Sequence, residues 1–302
     1  MPLRSRRTCH ITAVLIASLT ALATSAAAAP PASKNVQVRL VSEVESIRPG
    51  EPFRVGLLLR MAPEWHTYWV NPGDSGLPTR LAWTLPDGFQ AAPIEWPVPK
   101  SFSQGPVTSY GYEGEVLLPV VITPPPSLAP GTRVTLAARA DWLECREACL
   151  PGRSELTVIL PVRADAPRPA AAWAASFQAA RQRMPEAPEG WTFEARETPD
   201  RFVLVLRPPP GSAPLREAYF FPAKGRVLDH AAPQRLTAGT GGSYRLELTP
   251  GAAAARPLGA LKGVLVTQGT TGPKAVRVDA RAAGARGQKT DGGARPPSEE
   301  EE

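Results

Sequence analysis

Proline is the feature that most limits the fold of this chain, since 36 of its 302 residues are proline. A proline inside a helix removes a hydrogen bond and clashes with the preceding turn, which argues against long helices. Short strands joined by proline-bearing turns tolerate it, and hydrophobic residues form 43% of the chain, enough for a sizeable core. Proline and glycine together are about a fifth of the residues, below the roughly 25–30% that is typical of disordered chains. We therefore expect an all-β protein.

The first 28 residues have the pattern of a secretory signal peptide. Three arginines within the first seven residues precede an apolar stretch, residues 11–23, and a run of small residues follows. No later segment approaches the ~18 consecutive apolar residues of a membrane-spanning helix. We expect cleavage of residues 1–28, a periplasmic location, and no stable membrane insertion afterwards.

Removal of this segment changes the charge and the cysteine count. The whole chain has 34 basic and 28 acidic residues, for a net charge of +6; without the three arginines, 31 basic residues face the same 28, for +3. No basic stripe interleaved with aromatic residues is present, so nucleic acid is not an expected partner. Cys9 leaves with the signal peptide, and the mature protein keeps Cys145 and Cys149.

Strand patterns divide the mature chain into two parts. Short apolar or alternating segments occur throughout residues 34–163 and resume over residues 191–280, with proline and glycine turns between them. Between these parts, Ala170–Met184 has a helical spacing of apolar residues, which predicts a short helix within a linker, residues 164–190. Residues 281–302 have almost no large apolar residues and predict a disordered tail. The expected fold is two immunoglobulin-like β-sandwich domains joined by a short helical linker.

The spacing of Cys145 and Cys149 permits three kinds of site. Cysteines four apart can form a disulfide across a helical turn or a tight hairpin, and so short a loop stabilises the fold weakly. A disulfide of small structural value favours a reducible redox pair, while a structural disulfide and a metal site remain alternatives. Arg146 favours a thiolate and nearby acidic residues oppose it, so no acidified thiol is predicted. We expect two of these acids, Asp141 and Glu144, to be solvated.

The aromatic residues concentrate in the same part of the chain as the cysteines. Five of the seven tryptophans lie within residues 34–163, and Trp83 is expected in the core. Tyr110 and Tyr112 lie beside glycines, which favours a loop that covers another group. The expected position of His66 is an aromatic loop or the core, and His230 is expected to be a structural residue of the second part.

Four motifs together resemble a known family. The runs Trp65–Pro78, Glu95–Phe102, Thr108–Val120 and Trp142–Gly152 resemble the periplasmic N-terminal region of DsbD-type thiol:disulfide interchange proteins. The resemblance is strongest to the branch typified by the suppressor-of-copper-sensitivity protein B. It extends over roughly residues 36–280.

This resemblance implies an immunoglobulin-like domain that relays electrons through Cys145 and Cys149 without a bound cofactor. Cys149 would attack partners and Cys145 would resolve the intermediate. Phe102, Tyr110 and Tyr112 fall in the stretch that resembles the family's cap loop, which shields the cysteines from oxidation. The implied partners are periplasmic thioredoxin-fold proteins. Because the chain shows no membrane helices or thioredoxin-like CxxC domain, a separate membrane thiol relay is expected to supply the electrons.

Two other classes of function remain open at this point. Two thiolates suit Cu(I), with His66 as a third ligand, in a copper-tolerance protein. Alternatively, the chain is an interaction module with a structural disulfide. Motifs of serine hydrolases, zinc peptidases and nucleotide-binding proteins do not occur in a convincing context.

Overall fold

The computed structural model describes residues 33–269 and 272–282. The expected signal peptide, and the expected tail from residue 283 onward, lie outside these ranges. Within them, the strands are β1 (Val36–Ser42), β2 (Phe53–Met61), β3 (His66–Gly73), β4 (Arg80–Thr84), β5 (Gln90–Ala91), β6 (Lys100–Gln104), β7 (Val107–Glu113), β8 (Glu115–Thr123), β9 (Arg133–Cys145), β10 (Cys149–Pro161), β11 (Thr192–Glu197), β12 (Phe202–Arg207), β13 (Glu217–Pro222), β14 (Arg235–Ala238), β15 (Tyr244–Leu248), β16 (Ala260–Gly269) and β17 (Gly272–Arg281). Helix α1 (Ala174–Gln182) lies between β10 and β11, and a 3-10 turn (Thr240–Gly242) precedes β15.

The strands form four sheets, two from each part of the chain. The first sheet has the order β1-β2-β8-β5, and the second has the order β10-β9-β3-β7-β6, with β4 also paired to β9. The third sheet has the order β11-β12-β15-β14, and the fourth has the order β13-β16-β17. The strand pairings within all four sheets are antiparallel.

Alternating apolar residues on these strands form the cores. Leu57 and Leu118 of the first sheet pack with Trp142 of the second, and this cluster continues onto Phe221 and Val264 of the fourth sheet. The third and fourth sheets share a separate cluster. Since burial of each large apolar side chain contributes about 1.5–3 kcal/mol, these clusters dominate the stability of the fold. The continuous cluster across the first, second and fourth sheets joins the two parts of the chain.

Helix α1 covers the outer face of the first sheet. Its Phe177 and Ala180, three positions apart, are buried against Leu58 and Leu117. Residues three or four apart share one face of a helix, which explains why this short segment is helical in spite of its weak intrinsic stability. Among the described residues, no helix is long and apolar enough to cross a membrane.

The expected all-β character with one short helix is confirmed. The helix is shorter than the predicted range Ala170–Met184: Trp173 is its N-cap residue and Arg183 its C-cap residue. At the other end, strand β17 includes Arg281, and Ala282 forms a bridge with Ala195. The predicted start of the tail at residue 281 was therefore wrong for these two residues, which a neighbouring strand holds in place.

Candidate functional site

The two cysteines lie at the closed end of a long β-hairpin. Strand β9 ends at Cys145 and β10 begins at Cys149, so residues 146–148 form the loop. The two cysteines are directly opposite in the register, their Cα atoms are 4.2 Å apart, and a disulfide joins them. Opposite residues of an antiparallel pair bring their side chains together on one face of the sheet. Of the two geometries that the spacing permits, the protein uses the hairpin.

The two cysteines differ in their exposure to solvent. Cys145 is only 3% exposed, whereas Cys149 is an exposed residue at the start of β10. An incoming protein thiol or disulfide would therefore meet Cys149 first.

A row of four residues across the second sheet places other side chains beside the disulfide. Cys149 pairs with Cys145, Cys145 with His66, and His66 with Glu113. Tyr68 follows two residues after His66 on β3, and its hydroxyl donates a hydrogen bond to Cys145 Sγ at 2.7 Å. The same hydroxyl lies 3.5 Å from Cys149 Sγ. One phenol group thus contacts both sulfur atoms.

The protonation states of His66 and Tyr68 determine how each side chain can interact with a sulfur atom. Burial lowers the pKa of His66, with Glu113 opposing that shift, so the imidazole is predominantly neutral at pH 7. Burial raises the pKa of Tyr68, so its hydroxyl keeps its proton. Tyr68 is therefore the hydrogen-bond donor at the site, and sequence reasoning missed it. The available signal was the spacing of two positions between His66 and Tyr68 within Trp65–Trp69, which places both side chains on one face of a strand.

The hairpin of β6 and β7, residues 100–113, forms the edge of the second sheet beyond β3. Phe102 stacks on His66 with ring centroids 4.8 Å apart. Gln104 Nε2 donates to the carbonyl oxygen of Arg146 in the cysteine loop at 3.2 Å. These contacts place the β6–β7 hairpin beside the disulfide.

Tyr110 and Tyr112 are not in a loop, and that expectation was wrong. Both lie within strand β7 and are fully buried, because alternate residues of this strand face the core. The Tyr112 hydroxyl donates to the Pro97 carbonyl at 2.7 Å. The Tyr110 hydroxyl lies 3.0 Å from His230 Nδ1 and 3.1 Å from the Tyr219 hydroxyl. His230 is itself buried, and this contact links the two parts of the chain.

The expectation that Glu144 is solvated was also wrong. This side chain is 2% exposed and accepts hydrogen bonds from Ser33 Oγ at 2.6 Å, Asn35 Nδ2 at 2.9 Å and Trp142 Nε1 at 2.9 Å. A buried carboxylate is stable only when such partners replace its hydration. Glu144 directly precedes Cys145, so its hydrogen bonds hold the end of β9 to the segment that precedes β1. Asp141 is partly exposed and pairs with Arg139 and Arg153.

Metal ligation requires several ligands in one place. Within residues 33–269 and 272–282, no group of three or more histidine, cysteine or acidic side chains is arranged to hold a metal ion. Because the sulfur atoms form a disulfide here, the Cu(I) hypothesis concerns the reduced protein. His66 and Cys145 do lie opposite each other on neighbouring strands.

Comparison with known families gives a match for this part of the chain. Residues 35–161 match the family model described as thiol:disulfide interchange protein DsbD, N-terminal. The match includes both cysteines, Tyr68 and the β6–β7 hairpin, so the resemblance noted from the motifs is confirmed. No curated protein sequence matches the chain.

One solved structure supports the fold of both parts of the chain. The N-terminal periplasmic domain of ScsB from Proteus mirabilis is 16% identical in sequence and superposes with a TM-score of 0.58. The match includes 82% of the present chain and 94% of the ScsB domain. At this identity the likeness concerns the fold. The sporulation control protein Spo0M from Bacillus subtilis (11% identity, 82% and 91% coverage, TM-score 0.24) and the pilin subunit BcpA from Bacillus cereus (10% identity, 82% and 67% coverage, TM-score 0.27) are far less similar.

Replacement of Glu144 by glutamine is expected to destabilise the protein by about 2 kcal/mol. Glutamine has one acceptor oxygen, so its amide group must face either Trp142 or the Ser33–Asn35 pair, all of which donate. Urea denaturation measures the effect. Glu147→Gln in the cysteine loop is the control, because the Glu147 side chain is 88% exposed. Equal denaturation midpoints for the two variants would contradict a stabilising role of Glu144.

Proposed function

We propose that this protein is an exported thiol:disulfide interchange module that relays electrons through Cys145 and Cys149 to thioredoxin-fold partners. The observation that carries the proposal is an exposed Cys149 bonded to a buried Cys145 beneath the Tyr68 hydroxyl. A structural disulfide of a core does not require an exposed cysteine, and a disulfide that closes a loop of three residues provides little stabilisation. The family match of residues 35–161 supports the same function.

The proposed exchange transfers two electrons in two steps. The thiolate of reduced Cys149 attacks the disulfide of the partner; a mixed disulfide forms, and one partner sulfur leaves as a thiolate. The Cys145 thiolate then attacks Cys149 Sγ, re-forms the internal disulfide and releases the second partner thiolate. The partner ends as a dithiol after it takes up protons from solvent. A membrane thiol relay would return the Cys145–Cys149 pair to the reduced state.

In this proposal the β6–β7 hairpin shields the disulfide. Phe102 covers one side through its stacking on His66, and Gln104 holds the hairpin to the cysteine loop. Tyr110 and Tyr112 contribute as anchors, since their buried rings and hydroxyl contacts fix strand β7. Partner binding would displace the Phe102 ring from the face of the site.

The arrangement of the whole chain is also part of the proposal. We infer two immunoglobulin-like β-sandwich domains, residues 34–163 and 191–280, with residues 164–190 as a linker. Export by a cleaved signal peptide would place both in the periplasm, and the similar ScsB domain from Proteus mirabilis is periplasmic. The copper alternative, with Cys145, Cys149 and His66 as Cu(I) ligands, stays a prediction for the reduced protein.

A thiol-transfer assay tests the proposed function. The reduced protein, freed of excess reductant, is mixed with an oxidised thioredoxin-fold protein, and alkylation of free thiols followed by mass spectrometry counts thiols on each. We expect thiols to appear on the thioredoxin-fold protein and to disappear from Cys145 and Cys149. A variant with both cysteines replaced by serine is the control. Absence of transfer to every exported thioredoxin-fold protein tested would overturn the proposal.

Replacement of Tyr68 by phenylalanine is expected to raise the pKa of the Cys145 thiol in the reduced protein, because the thiolate loses a hydrogen-bond donor. The hydroxyl donates to Cys145 Sγ, and a hydrogen bond to a charged group contributes about 1.5–3 kcal/mol, which the thiolate would lose. Thiolate ultraviolet absorbance during a pH titration of the reduced protein measures the shift.

The Tyr112→Phe variant is the matched control for this titration. It loses a buried hydroxyl and its hydrogen bond to Pro97, but that hydroxyl bonds a carbonyl and not a cysteine. The control should lose stability and keep the thiol pKa. A thiol pKa that is equal in Tyr68→Phe and the wild type would show that Tyr68 does not act on the sulfur.

A further inference from the structure

A cleft of about 740 Å³ lies where helix α1 and the first, second and fourth sheets approach one another. Sites for small molecules are commonly about 300–1,000 Å³ and often lie between domains. The cleft is separate from the disulfide. Tyr68 and Trp69 are consecutive on β3, so their side chains point to opposite faces of the sheet; Tyr68 contacts the sulfur atoms and Trp69 lines the cleft.

The walls of the cleft are largely apolar, and the surrounding elements all contribute to them. Large side chains from β3, the segment before β6, helix α1, the segment after it and β16 contribute: Trp69, Trp96, Phe177, Met184 and Val264. Part of this surface remains open to solvent, since Trp96 and Met184 are only partly buried and the neighbouring Val70 is 37% exposed. An open apolar concavity of this size suits a ligand with an apolar body.

One cationic side chain in the cleft is left to bind a ligand. On β17, Arg277 donates Nη1 to the Pro185 carbonyl at 2.9 Å, and its other N–H groups remain free of carboxylates within the part of the chain that the structure describes.

The other charges that line the cleft are balanced. Arg54 pairs with Glu95 at 3.1 Å, and Lys262 pairs with Asp279 at 2.8 Å. Arg181 pairs with Glu43, which lies outside the cleft. Among the described residues that line the cleft, Arg277 is thus the cation without a carboxylate partner, and it matches a single negative charge.

We propose that this cleft binds an apolar molecule that ends in one carboxylate, with the carboxylate on Arg277 and the apolar body against Trp96, Phe177 and Met184. A carboxylate provides acceptors in the planar arrangement that a guanidinium binds best. A phosphate monoester carries nearly two charges at neutral pH, and its second charge would have no partner here. The proposal is independent of thiol exchange, because the two cysteines lie on the other side of β3.

Isothermal titration calorimetry with dodecanoate, below its micelle-forming concentration, tests the proposal. We expect saturable binding of one molecule per chain. Dodecanol, which has the same chain length without the charge, is expected to bind at least about tenfold more weakly, since it lacks the ion pair. Failure of dodecanoate to saturate, or equal affinity for dodecanol, would overturn the proposal. This comparison uses the unaltered protein.

Three variants locate the site. Arg277→Gln is expected to weaken dodecanoate binding about tenfold and to leave dodecanol binding unchanged. Arg245→Gln, an exposed arginine of β15 outside the cleft, is the matched control and should bind as the wild type does. Replacement of both Cys145 and Cys149 by serine should abolish thiol transfer and leave dodecanoate binding unchanged. Wild-type affinity in Arg277→Gln would contradict the proposed site.

Discussion

Reduced Cys145→Ser protein is expected to accumulate a covalent complex with an oxidised thioredoxin-fold partner, whereas reduced Cys149→Ser protein should form almost none. The expected difference follows from burial. Cys149 is exposed and can reach a disulfide of another protein, while Cys145 is 3% exposed and lies under Tyr68. In the Cys145→Ser variant the first exchange step proceeds, but no second thiol of this protein can resolve the mixed disulfide.

Non-reducing electrophoresis and mass spectrometry of the complex measure this effect. The complex must disappear on addition of dithiothreitol, and the cross-linked peptide must contain Cys149. The partner's own second cysteine is replaced by serine, and its remaining active-site cysteine is supplied as a mixed disulfide with thionitrobenzoate. Attack by Cys149 then expels thionitrobenzoate as the leaving thiolate, and no partner thiol is left to resolve the complex. A complex that forms mainly through Cys145 would reverse the proposed roles of the two cysteines.

Replacement of Gly111 by alanine is expected to destabilise the protein by about 3 kcal/mol or more. Gly111 lies in β7 opposite Tyr68 of β3, and a Cβ atom at this position would lie 1.8 Å from the carbonyl oxygen of Thr67. A backbone atom cannot rotate away as a side chain can, so β3 and β7 would have to separate. Because β3 carries Tyr68 and His66, the site should be disturbed as well as the stability.

Thermal and urea denaturation measure the loss, with Gly259→Ala as the control. A Cβ atom on Gly259 would meet nothing within 4 Å, and this variant should stay within about 0.5 kcal/mol of the wild type. Similar stabilities for the two variants would show that β3 and β7 can adjust at this position, in contradiction to the close packing inferred here.

Local patterns predicted much of the fold because apolar alternation and proline-rich turns act over short distances. The strands over residues 36–40, 55–59 and 202–206 follow directly from such runs. Strands β6 and β7 escaped prediction, since glycine and tyrosine in Thr108–Gly114 are typical of a loop as well as a strand. Only pairing with β3 decides between these two structures.

The candidate site was predictable in part for the same reason. The cysteine pair stands out because one closely spaced pair remains in a long chain. The roles of Tyr68 and Glu144 depend on residues far apart along the chain, since Tyr68 precedes Cys145 by 77 positions and Ser33 precedes Glu144 by 111. By residue type alone, Tyr68 resembles any core tyrosine of a β protein, and Glu144 resembles any solvated acid.

The sequence by itself determined that this protein is built mainly of short strands, that its proline content excludes long helices, and that Cys145 and Cys149 are its candidate redox pair. These properties follow from residue type and local spacing. Tertiary structure alone decided that Cys149 is exposed and Cys145 is covered, that Tyr68 bonds the sulfur, and that Glu144 is buried. Burial and hydrogen bonding between distant strands depend on how the sheets pair and pack, which no local pattern specifies.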